Sequence, residues 1–292
     1  MADRWLPGAG PVAATPVGHG GTSDVFHLRR GGAGCYVRLA EQPGEEMLAE
    51  AWAHERLAGL GVRLPAVIAV EPASSPLGRG ALVLTPLHGA PLTGLGRPEQ
   101  VGPAAHAAGG DLAVLGSIPV AGFGFVGDRP PLTGPWPDAG TALVGPAIDA
   151  LTGPAGELLG PDSKRVGAVI EQLAGLVAGQ PSRLAHGDFD GSHIYADDDG
   201  YRGMLDLGEM RGAPPLYDVA HFALHEAQLA APAASHLLAG YQQRCPLPEH
   251  HAELVRALKL QIGVRLLGTI AGRGNEEYER LLADALAATA AA

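Results

Sequence analysis

HGDFDGSHIY, residues 186 to 195, sets two imidazoles and two carboxylates within eight positions of a chain dominated elsewhere by Ala, Gly and Leu. Side chains of these kinds bind divalent cations or move protons, and such crowding suits a reacting centre. Downstream, "HIYA" and "YRGMLDL" are strand-forming runs divided by "DDDG", whose Asp and Gly content predicts a tight turn. Folding there brings the start of the first strand opposite the end of the second, so His193 falls within a residue or two of facing Asp206. Asp188 then lies in the loop entering the hairpin, facing the same space. A divalent cation held by Asp206 and His193, with Asp188 free to accept a hydroxyl proton, suits phosphoryl transfer, which demands chiefly positioning and charge neutralisation.

The elements that must position these groups fall into two kinds. Residues 11 to 87 read as strands and one helix, the helix lying in "EEMLAEAWAHERLAGLG", with Leu48, Trp52, Leu57 and Leu60 near helical spacing and Gly61 past the end. After "LHGAPLTGLGRPEQ" the pattern turns helical. This predicts an α+β chain: a small β-rich lobe over 1–88, a hinge at about 85–95, and a larger, mainly helical lobe over 89–292. The Gly- and Pro-rich segment 122–160 lacks clear periodicity and is expected to be a surface excursion over the larger lobe.

Composition narrows the partners. Twenty Lys and Arg against 31 Asp and Glu leave a net charge of -11, which disfavours nucleic acid or an anionic membrane surface. Cys35 and Cys245 are the two cysteines, with no C-x-x-C pair, so a disulfide framework or thiolate zinc site is not expected and a reducing compartment is. The opening "MADRWLPGAG" lacks a signal pattern and no apolar run is long enough to span a membrane, so the expectation is a cytoplasmic protein, monomeric or homodimeric.

"HGDFDGSH", followed by "LDLGE" and "PLYDVA", resembles the catalytic core of the aminoglycoside and macrolide phosphotransferases, within the wider group that shares the protein-kinase-like fold. The resemblance spans most of the chain. It implies Asp188 as catalytic base, Asp206 as metal-binding acid, and Asp218 as a brace for the catalytic loop or a cap for the next helix. His193 stands where the family pattern has Asn, and as a metal ligand it must be neutral. His186 is read as structural. Asp190 and Glu209 are candidates for the acceptor side.

The same resemblance implies a nucleotide site in the first lobe. "GHGGTSDVF" supplies Gly20, Gly21 and Ser23 for phosphate contacts. "YVRLA" supplies Arg38 in place of the usual Lys, with Glu50 as its partner on the following helix and Glu45, Glu46 and Glu55 as competitors. "LVLTPLHGAPL" matches the connector between lobes, where the base meets main-chain groups from Thr85 to His88, notably Thr85 and Leu87. The implied cofactors are ATP or GTP with Mg2+, and the product is a phosphate ester of a small-molecule hydroxyl. An antibiotic acceptor, inactivated to give resistance, is the first expectation. The alternatives are a metabolic kinase for a sugar, amino alcohol or glycated amine, a nucleotide-binding pseudokinase, and a metallohydrolase using His186, Asp188, Asp190 and His193. His54, His221, His225 and His236 are read as surface or core residues of helices.

Overall fold

The computed structural model describes residues 2–20 and 23–292. Strands β1 (Ala13–Gly20), β2 (Ser23–Arg30) and β3 (Ala33–Leu39) form a meander, extended by β5 (Ala81–Leu84) and β4 (Val67–Glu71) into an antiparallel sheet of order β1-β2-β3-β5-β4. Alternation along β3 sorts its side chains between two covers. Cys35 and Val37 pack under Trp5 and Leu6, from a short N-terminal helix α1 (Ala2–Trp5) and the residue after it. Ala40, beyond the strand, and Leu82 of β5 instead meet Met47 and Ala51 at the start of helix α2 (Leu48–Gly59).

The helix is where the sequence places it, but its buried stripe is not the expected one. Leu48 and Leu60 are exposed and Trp52 is half-buried, while Ala49, Glu50, Ala53, His54 and Leu57 face inward. Small residues let α2 lie close to the sheet, and the buried polar pair explains the discrepancy: Glu50 and His54 lie one turn apart on the face that must reach a charged partner on β3.

Chain 89–292 is mainly helical. After β6 (Ala90–Pro91) come α3 (Pro98–Leu115), β7 (Gly124–Phe125), α4 (Gly145–Leu151), α5 (Pro154–Leu159) and α6 (Ser163–Val177). The hairpin region then supplies β8 (Arg183–Ala185), β9 (Ile194–Asp197), β10 (Gly200–Met204) and β11 (Arg211–Ala213), followed by α7 (Tyr217–His225), α8 (Ala234–Gln242), α9 (His251–Ile270) and α10 (Glu276–Ala291). Residues 122–160 are therefore not a surface excursion throughout. From Gly140 onward they wind into helical turns whose Ala142, Leu143, Ala147, Ala155 and Leu159 enter the main core. Short helices rich in Ala and Gly carry too few large apolar residues to display a helical period.

The predicted hairpin forms. β9 and β10 pair antiparallel, with Met204 opposite Ile194, and the Leu205 amide donates to the His193 carbonyl at 2.9 Å. His193 thus faces a position one residue from Asp206, as the spacing requires. Ile194 and Met204 are fully buried and anchor the ribbon in the core. Among the described residues no helix is long and apolar enough to cross a membrane.

Candidate active site

The 186–189 loop is suspended from α7. Asp218, in the first turn of that helix, accepts the amides of His186 and Gly187, both at 2.8 Å. Burial pushes its carboxyl up to about 6, although these two bonds pull the other way. The His186 ring is fully buried, with Nε2–H donating to the Leu205 carbonyl at 2.7 Å and Nδ1 receiving the Asp188 amide at 3.4 Å. Burial holds it at about 4, so it is neutral and structural, tying the loop to the hairpin. Gly187 has φ +92°, and a Cβ there would fall 1.9 Å from the Glu209 carbonyl oxygen, so a side chain is barred at this bend.

Asp188 emerges half-exposed into a cleft of about 380 Å³, which His193, Asp206, Glu209 and the buried His221 also line. Partial loss of water raises the carboxyl above its ordinary value. His193 opposes that shift, and the negative charges of Asp190 and Asp206 add to it. A raised pKa makes a better proton acceptor. Asp190 lies beside the site without lining the cleft: its Oδ1, 3.7 Å from His193 Nδ1, accepts both the amide and the hydroxyl of Ser192, at 2.7 and 2.6 Å, closing a local turn. Glu209 lies at the cleft but is paired to Arg211 at 3.2 Å. Arg211 is in turn stacked over the ring of Phe125 and bonded to the Tyr217 hydroxyl.

His193 donates through Nδ1 to the Asp188 carbonyl at 2.7 Å, which leaves an Nε2 lone pair facing Asp206 Oδ2 at 3.9 Å. Asp206 has φ +65°, an unusual left-handed conformation for a non-glycine residue, and caps the following turn by accepting the Gly208 amide at 3.3 Å. Burial by itself would raise its carboxyl; the Arg38 guanidinium outweighs that and holds it below the ordinary value. This donor pair fits a divalent cation that takes its remaining ligands from phosphate and water, as Mg2+ does. Among the described residues no group of three or more His, Cys, Asp and Glu side chains could hold a metal alone, so such an ion would depend on the nucleotide for affinity.

Arg38 links the lobes. Its Nη1 reaches Glu50 at 3.1 Å and also bonds Asp206. Both members of the Arg38–Glu50 pair are buried. Of the competing glutamates, Glu45 accepts the Gln42 amide, Glu46 accepts the Ala73 amide, and Glu55 is exposed on the outer face of α2. Gly20 ends β1 opposite Ser23 of β2, while Gly21 and the side chain of Ser23 lie outside the described residues. The Thr85 amide donates to Ala66 at 2.9 Å and its hydroxyl accepts the Ala66 amide, which leaves its carbonyl and Leu87 as the connector groups that could meet a base.

The main omission of the sequence reading is His221, which is buried on α7 but turned to the catalytic loop, with Nε2 3.4 Å from Asp188 Oδ1. Helical position alone could not distinguish this from a core histidine. Its place three residues after Asp218 was the available signal. Arg211 and, on α9, Ile262, Arg265 and Leu266 also line the cleft and carried no motif, and Tyr217 lies within PLYDVA but was given no role.

The small antiparallel sheet, the helical remainder and the loop–hairpin site together define a protein-kinase-like two-lobed fold. Residues 13–254 match the model of the phosphotransferase enzyme family, to which the chain belongs. It is therefore a phosphotransferase-family enzyme. Among solved structures it is similar to a thermostable mutant of aminoglycoside phosphotransferase APH(4)-Ia, in the apo form, at 18% identity and TM-score 0.71, covering 96% of this chain and 94% of that one. The same protein in ternary complex with AMP-PNP and hygromycin B matches at 20% and 0.70, covering 97% and 95%. A fructosamine-3-kinase candidate from Haemophilus somnus matches at 13% and 0.60, covering 94% and 90%. No curated protein matches the chain.

Proposed function

We propose that this enzyme transfers the γ-phosphoryl group of ATP or GTP to a hydroxyl of a small-molecule acceptor, most simply an antibiotic that is thereby inactivated. One observation carries the reading. Asp188, His193 and Asp206 line one cleft, and Asp206 also bonds Arg38, which with its buried partner Glu50 lines a neighbouring cavity of about 530 Å³.

In this reading Arg38 neutralises nucleotide phosphate through its fork while Glu50 keeps it extended. His193 and Asp206 hold Mg2+, which supplies charge neutralisation at the phosphates when bound. Asp188 accepts the acceptor's hydroxyl proton through a carboxylate oxygen as the new O–P bond forms and the bond to the nucleoside diphosphate breaks. Asp218 and His186 keep the loop from moving during that step. Support for an antibiotic acceptor comes from the family and from the complex of a similar fold with hygromycin B. We further propose that the lobes meet at a hinge near 85–95 and that the enzyme works in the cytoplasm.

A screen tests this reading. Aminoglycosides, macrolides, amino sugars and glycated amines are each incubated with Mg-ATP and Mg-GTP, and mass spectrometry looks for an added phosphate. A phosphorylated antibiotic supports the proposal, and a phosphorylated glycated amine or amino sugar would replace it with a metabolic kinase. Nucleotide binding with no turnover, even to water, would contradict phosphotransfer.

A further inference from the structure

Helix α7 grips the catalytic loop at two points. Asp218 holds the amides of His186 and Gly187. His221, three residues on and therefore on the same face, directs Nδ1 to the Phe189 carbonyl at 3.2 Å and Nε2 to Asp188 Oδ1 at 3.4 Å. Four consecutive loop residues are thus met by two side chains one helical turn apart. The ring is 6% exposed and lies against His225, centroid to centroid 4.9 Å.

The Asp188 carboxylate needs such a partner. Its side chain is 48% exposed, and among the described residues no amide or other side chain hydrogen-bonds its oxygens. An unsupported carboxylate turns freely about its last bond and points an oxygen at the acceptor only part of the time. Burial lowers the His221 pKa to about 3, so the neutral ring has one N–H for two facing oxygens. In this geometry the hydrogen sits on Nδ1, donated to the Phe189 carbonyl at 3.2 Å; an ionised Asp188 is the stronger acceptor and draws it to Nε2, at the expense of the Phe189 contact.

We propose that His221 is a positioning residue for Asp188: its Nε2–H holds Oδ1 and leaves Oδ2 aimed at the acceptor hydroxyl. This rests on Asp188 being the base. The contact at 3.4 Å is long for a finished hydrogen bond, in keeping with a site that tightens once substrate is bound.

The test uses the full chain with Mg-ATP and with water as acceptor, following ADP release. His221→Phe keeps the ring's bulk without its N–H and is expected to lower kcat about 100-fold while leaving KM for Mg-ATP within about twofold. His221→Gln places an amide N–H near the reach of Nε2 and is expected to recover about tenfold of that loss. Should the Phe variant not fold, His221→Asn serves instead, since its amide stops near Nδ1 and does not reach Asp188, and a low kcat is again expected. Wild-type kcat in the Phe or Asn variant, or a Gln variant no better than Phe, overturns the inference. Asp188→Asn separates the two claims: if it retains turnover the base assignment itself fails, whereas an inactive Asp188→Asn beside an active His221→Phe removes only the role of His221.

Discussion

His193 donates from Nδ1 to the carbonyl of Asp188 at 2.7 Å, so the side chain proposed to hold metal is fixed to the main chain of the proposed base. One bond sets the imidazole tautomer, its orientation and its distance from the residue that takes the proton. A shift of the ring would move the base with it.

Metal preference should therefore follow position 193. Imidazole favours softer divalent ions than the carboxamide found in the family pattern. His193→Asn is expected to raise the ratio of Mg2+- to Mn2+-supported turnover, while His193→Ala lowers turnover with both metals about 10- to 100-fold. Turnover titrated with each metal checks this. An unchanged metal ratio in the Asn variant would remove His193 from the coordination shell. Because no described cluster holds metal alone, a chelator should leave the melting temperature of the nucleotide-free protein unaltered.

The Arg38–Glu50 pair should matter to stability as well as to nucleotide binding. Both side chains are buried, and among the described residues Arg38 Nε has no partner. Glu50→Gln leaves a buried guanidinium with one fewer counter-charge and is expected to cost about 3 kcal/mol, read as a lower urea midpoint at constant slope. Asp206, still bonded to Arg38, keeps the cost at the low end.

His54 makes the fold sensitive to acid. It is 2% exposed on α2, its Nδ1–H donates to the Pro65 carbonyl at 3.0 Å, and among the described residues Nε2 has no partner. Burial depresses its pKa from 6.5 to about 4. The unfolded chain therefore binds this proton first: the contribution to stability is complete above pH 6.5 and is lost as pH falls toward 4. His54→Leu should lose that dependence, so the stability difference between wild type and variant narrows by about 1.4 kcal/mol per pH unit between 6 and 5. Denaturant melts at both pH values measure it, and parallel pH profiles would contradict the assignment.

How much of this was readable beforehand differs by element. The hairpin was legible because its two runs flank a turn of Asp and Gly, and antiparallel pairing then fixes which residues meet. Arg38 and Glu50 were named by the family resemblance, which expects a cation on a strand and an acid on the next helix, with other glutamates left in competition. The buried face of α2 was not legible, since leucine spacing marked one side while the ion pair and small residues claimed the other. Residues 140–160 looked irregular because alanine and glycine pack well at close range without signalling a period. His221 was passed over because a histidine on a helix reads the same whether it faces core or catalyst, and only tertiary placement distinguishes them.

The most direct measurement is phosphate transfer by Asp188→Asn, compared with wild type on the same acceptor and nucleotide by mass spectrometry, with nucleotide affinity measured in parallel. Loss of the base should lower transfer about 100- to 10,000-fold with nucleotide affinity unchanged. Transfer at the wild-type rate would contradict the account.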